Sequence, residues 1–220
     1  MATSDRLLEE AEGLWTAQKF HPFVTELAEG TLDESAFRCW VEQDYLYLLD
    51  YARAFATAGV RARDEGTMTD LVGIAHATLS EEMDLHREFA ADYGLSTAEL
   101  EAAEKRPTCV AYTNYLLRVA HEGSIAEIAA VLYPCGQGYL DVATHMADIA
   151  TDEHRYTPFI KTYTSDDFRE EVAWLRGFVD RCGERYPDEF DTMREAFLQS
   201  ARLEAAFWDM AYTDEEWPIR

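Results

Sequence analysis

Apolar residues return every three or four positions along almost the whole of this chain and almost nowhere alternate one by one. That spacing fits the 3.6-residue turn of an α-helix, and little of the chain has the period of two that a half-buried strand requires. Eleven glycines and six prolines among 220 residues are too few to punctuate a protein of short strands. The expectation is an all-α, single-domain antiparallel helical bundle, since a chain of this length buries about 70% of its unfolded surface without a metal or disulfide staple. No internal repeat, low-complexity tract or long linker divides residues 1–220.

The periodicity predicts helices over residues 4–19, 33–64, 67–93, 96–105, 108–122, 124–150, 166–186 and 188–211. Ser4, Asp33, Ser96 and Asp188 stand where side-chain oxygens cap helix starts, and Gly94 and Gly123 where a left-handed residue ends a helix.

Charge narrows the function classes. Nineteen Lys+Arg against 43 Asp+Glu give a formal charge of −24. Such a field repels nucleic-acid backbones and anionic membrane surfaces. Only Lys19, Lys105 and Lys161 are lysines, and this skew beside a large acidic excess resembles proteins of a high-salt cytoplasm. No apolar run reaches the ~18 residues of a membrane span, and the polar first ten residues do not resemble a signal peptide, so a cytoplasmic location is expected. Cys39, Cys109, Cys135 and Cys182 are widely spaced, with no Cys-x-x-Cys, and reduced thiols are the default.

In a bundle, a site is built from polar groups that point inward on otherwise apolar faces. Trp40, Asp44, Tyr47 and Tyr51 share one helix face, which places a carboxylate among aromatics. Asp44 there either pairs with a protein donor, such as a Tyr hydroxyl or Arg53, or awaits a ligand that donates. Phe197, Ala201, Glu204 and Trp208, flanked by Phe207, form a second such stripe, where desolvation raises the Glu204 pKa unless the group reaches solvent or Arg202. Tyr133-Pro134-Cys135-Gly136-Gln137-Gly138-Tyr139 interrupts a pattern that is helical on both sides. A break there frees backbone N–H groups beside Cys135, and a restarting helix favours its thiolate, although a lone cysteine also serves as a small core residue. Tyr112 with Tyr115, and Tyr163 before an acidic helix start, suit either core or site.

Glycine-rich nucleotide loops and a Gly-x-Ser-x-Gly elbow are absent. Glu82 with His86, and Asp152-Glu153-His154, lack the Glu-x-x-His spacing of a di-metal bundle; spacing alone leaves His21 or His121 open as a haem ligand, but a lone histidine is far more often structural. No cofactor and no metal is expected.

These residues resemble the TenA family, also called thiaminase II or aminopyrimidine aminohydrolase. The resemblance runs through His21-Pro22-Phe23, Gly30-Thr31-Leu32 with Phe37, Gln43-Asp44-Tyr45-Leu46-Tyr47-Leu48, Glu82 with His86, Pro107-Thr108 with Tyr112, Pro134-Cys135 with Gly138-Tyr139, and Glu204 before Phe207-Trp208. It covers nearly the whole chain and is specific in order and spacing. It implies a heme-oxygenase-like helical bundle without haem, a homotetramer, and hydrolysis of thiamin or its aminopyrimidine breakdown products to hydroxymethylpyrimidine in thiamin salvage. Carried over by position, Cys135 is the nucleophile, Glu204 the proton donor and acceptor, and Asp44 the carboxylate that holds the amino and ring-nitrogen edge. Tyr47, Tyr112, Tyr139, Tyr163 and Phe207 line a pocket sized for a single ring. Two departures stand out: Gly136-Gln137 where many members carry an aromatic and Trp, and Phe159-Ile160-Lys161-Thr162-Tyr163 for a common Trp-Ile-x-x-Tyr. Other readings are a non-catalytic pyrimidine carrier, separated by a single-turnover assay, and an oxygenase on the same fold, separated by metal analysis.

Overall fold

A computed structural model describes residues 1–219. Its elements are α1 (Thr3–Glu10), α2 (Glu12–Lys19), α3 (Pro22–Glu29), α4 (Glu34–Arg61), α5 (Glu65–Ala77), α6 (Met83–Asp92), α7 (Thr97–Ala102), α8 (Pro107–Glu122), α9 (Ile125–Ile149), α10 (Thr157–Tyr163), α11 (Asp166–Arg185) and α12 (Phe190–Thr213). The protein is an all-α bundle, and there is no strand among the described residues.

Helix α9 is the centre. It packs on α11 on one side and α12 on the other, and α12 in turn meets α8 and α4. Its burial is complete over Ile128–Pro134, a run with no charged side chain. The long helices α4 and α12 each bury one stripe against it, and Asp44 and Glu204 sit within those stripes.

Local chemistry sets most boundaries. Asp33 and Ser96 accept from backbone N–H groups at the starts of α4 and α7, and Gly94 takes the left-handed conformation at φ 74°. Three expected caps differ. Ser4 lies inside α1 and donates its backbone N–H to Asp180. Asp188 falls in a 3₁₀ turn, Pro187–Glu189, ahead of α12. Gly123 is extended at φ −73°, because Ser124 starts the next helix at once with a capping box through Glu127.

Residues 4–19 form two helices joined at Ala11, and the expected 67–93 helix carries one π turn, Thr78–Glu82, between α5 and α6. Helices α3 and α10 went unread in the sequence. Each is short, starts with proline in its first turn, and α3 ends at Gly30, which is left-handed at φ 75°.

The largest correction concerns α9. It runs unbroken through Pro134, Gly136 and Gly138. Proline removes the hydrogen bond to the Ala130 carbonyl and crowds that turn, and side chains take up the neighbouring carbonyls. Ser200 Oγ donates to Val131 O at 2.8 Å, and Tyr51 OH donates to Leu132 O at 3.1 Å. The helix survives its proline, and no free N–H cluster forms beside Cys135.

Candidate active site

Helices α4, α9 and α12 bring Asp44, Cys135 and Glu204 to one region of the core. Asp44 is 4% exposed and Glu204 2%. Asp44, Cys135, Tyr139 and Tyr163 line one internal cavity with Leu48, Tyr51, Glu82, Gly136, Phe168 and Glu171. Behind the cysteine, the Tyr47 ring lies 4.8 Å from Tyr112 and 5.8 Å from Phe207, centroid to centroid.

Asp44 has a protein partner that the sequence did not single out for this part. His86 Nε2 lies 2.6 Å from Asp44 Oδ2, and its Nδ1 lies 2.9 Å from the Glu82 carbonyl oxygen. Both neighbours are acceptors, so both ring nitrogens donate and the imidazole is cationic. Burial opposes that charge, but the Asp44 bond and field outweigh it and hold the His86 pKa above its ordinary value. Tyr139 OH receives the Trp40 indole N–H at 2.9 Å and reaches Asp44 Oδ1 at 3.4 Å. One carboxylate oxygen is thus tied to His86, while the other has only this long contact. Arg53, the alternative partner, pairs with Asp50 instead. The signal for His86 was its place four residues after Glu82 on a helix, visible once the pair was not required to bind metal.

Glu204 belongs to a chain of hydroxyls. Ser200 Oγ gives its proton to Val131 O, so the 2.9 Å contact between Ser200 and Tyr112 uses the phenol proton. Tyr112 OH also lies 2.5 Å from Glu204 Oε1. All three contacts are satisfied together only when the carboxyl carries a proton; once it ionises, the phenol turns to donate to it. Burial pushes the Glu204 pKa up to about 8, and bonds to Tyr112 and Cys135 oppose the rise. Arg202 leaves the group alone and meets Gln199.

Cys135 is a thiol at rest, contrary to the expectation of a helix-activated thiolate. Burial raises its pKa, the Glu204 charge raises it further, and the Tyr47 hydroxyl pulls it down. That hydroxyl is buried with no other partner. Gly136 lies against α11, where an added Cβ would meet Leu175 at 3.1 Å and Val172 at 3.4 Å. Gln137 points elsewhere, bonding Tyr133 and Asp141.

The cavity is smaller than the single ring expected. It encloses about 20 Å³, room for one water. One side of it is formed by the end of the π turn at Glu82 and the start of α11 at Phe168 and Glu171.

The TENA/THI-4/PQQC family model matches residues 8–214. The chain belongs to that family. Aminopyrimidine aminohydrolase of Halalkalibacterium halodurans is 40% identical over 99% of this chain and 98% of its own. Among solved structures, a TenA homologue from P. horikoshii OT3 superposes with a TM-score of 0.91 at 27% identity, covering 97% of this chain and 99% of that one. A domain from Shewanella denitrificans with a heme oxygenase-like fold does so at 0.75 and 13% identity, covering 96% and 92%, and shares the fold alone. Within the TENA/THI-4/PQQC frame the bundle is heme oxygenase-like, as the resemblance implied.

Proposed function

We propose that this protein is an aminopyrimidine aminohydrolase that releases 4-amino-5-hydroxymethyl-2-methylpyrimidine from thiamin breakdown products, the aminomethyl compound among them, in thiamin salvage. The observation that carries the reading is the meeting, from three helices, of a thiol and an ion-paired carboxylate that line one cavity with a proton-bearing carboxyl, Glu204, packed next to the thiol. Family membership and a 40% identical aminohydrolase support it.

The chemistry follows from those groups. Asp44, paired with His86, accepts from the amino group and protonated ring edge of the pyrimidine. Tyr139 and Tyr163 wall the ring, with Tyr47, Tyr112 and Phe207 behind the nucleophile. Glu204 in its ionised form takes the Cys135 proton as sulfur bonds to an electron-poor ring carbon. The ring electrons then expel the protonated amine from the exocyclic methylene as ammonia, and Glu204 gives that proton to it, so that it departs as ammonium. Glu204 next deprotonates water, which adds to the methylene carbon while the sulfur–carbon bond breaks and the ring regains its aromaticity. The proton returns from Glu204 to sulfur. The net change is protonated amine plus water to alcohol plus ammonium, with one carboxyl serving as base and acid in turn.

The same reading takes the working form as a cytoplasmic homotetramer adapted to high salt. Purified protein incubated with the aminomethylpyrimidine, assayed chromatographically, is expected to release the hydroxymethyl product and ammonia in equal amounts. Tight binding without release would instead make it a pyrimidine carrier.

A further inference from the structure

The mechanism above leaves two carboxyls of the cavity unused. Glu82 stands at the end of the π turn and Glu171 on α11, and both line the cavity with Cys135. No lysine or arginine is among the residues lining it. Its nearest cation, His86, is already spent on Asp44. On the same face of α11, one turn beyond Glu171, Leu175 would lie 3.1 Å from a Cβ at 136, so α11 packs closely on this stretch of α9.

A second observation comes from the opposite wall. Tyr163 is 3% exposed and lines the same cavity, yet its hydroxyl makes no hydrogen bond among the described residues. An unpartnered phenol beside two acids without a cation is a set of groups arranged for something absent.

Resting on the hydrolase reading, we infer that Glu82 and Glu171 form the wall that receives the cationic leaving group of the substrate, an ammonium on the exocyclic methylene. Burial lifts both carboxyls above their ordinary values, and the Glu171 charge adds to the rise at Glu82. An incoming cation reverses that cost, because each carboxylate then ionises against a positive partner. Asp44 holds the amino and ring-nitrogen edge, and the two acids, which line the cavity together with Cys135, hold the group to be expelled in its charged form. The site therefore discriminates by charge at the leaving group, favouring an ammonium over a neutral amide or alcohol of similar size.

Binding separates this wall from the chemistry. In a Cys135→Ser background, calorimetry compares the aminomethylpyrimidine with its hydroxymethyl counterpart, which differ only in ammonium against hydroxyl. The ammonium compound is expected to bind at least about tenfold tighter, the margin of a charge-assisted contact over a neutral one. Glu171→Gln and Glu82→Gln, each added separately, should erase most of that margin while both ligands still bind. A merely structural role would weaken both ligands in proportion and leave the ratio intact. Equal affinities at the outset, or a ratio unmoved by either substitution, would overturn the wall. Failure of the unaltered protein to release hydroxymethylpyrimidine would overturn the hydrolase reading instead and leaves this comparison standing.

Discussion

Glu204 is the residue on which proton movement turns, and its setting gives a sign for the pH dependence. Attack begins from the form with Glu204 ionised and Cys135 a thiol. With a substrate whose leaving group does not titrate, kcat/KM should rise with pH through about 8, the value to which burial lifts this carboxyl. A profile falling from pH 7 to 9 would contradict the assignment. Stability has the opposite slope. A carboxyl whose folded pKa lies above its unfolded one favours the fold below the unfolded value and loses that contribution as pH climbs to the folded one. Asp44 and Glu204 were legible as carboxylates on aromatic stripes, because helical spacing alone places them there. The ion pair between Asp44 and His86 was not, since residues 44 and 86 belong to separate helices and no periodicity within one element reports which faces meet.

At the scale of elements, long helices were readable and short ones were not. Helices α4, α8, α9, α11 and α12 repeat their apolar stripe enough times to declare a period, whereas α3 and α10 span two turns and owe their existence to packing. Helix α9 shows why a local rule failed. Proline and two glycines argue for a break, yet the helix continues, and Ser200 and Tyr51 donate hydroxyls to the Val131 and Leu132 carbonyls next to the one that proline leaves open. Those donors come from α12 and α4, so only tertiary structure could reveal them. Gly30 is a clearer case of backbone need. It ends α3 in the left-handed conformation, and a Cβ would lie 2.7 Å from the His154 ring. Gly30→Ala should therefore cost about 2 kcal/mol, read as a lowered urea midpoint at unchanged slope. An unshifted midpoint would count against the strain.

For the whole molecule, charge is the dominant feature. With 43 acids against 19 bases the surface repels itself. Screening shortens from about 10 Å at 0.1 M salt to about 3 Å at 1 M. The melting temperature should rise by several degrees between those concentrations, and scanning fluorimetry that shows no rise would remove the high-salt interpretation. No helix among the described residues is long and apolar enough to cross a membrane. The central claim, that the Cys135 sulfur carries the reaction in a cavity it shares with Asp44 and with Glu204 next to it, is tested most directly by one comparison: release of hydroxymethylpyrimidine by Cys135→Ser against the unaltered protein. The account predicts a loss of at least about a thousandfold, on the order expected when a covalent nucleophile is removed. Turnover within a few-fold of the unaltered protein would contradict it.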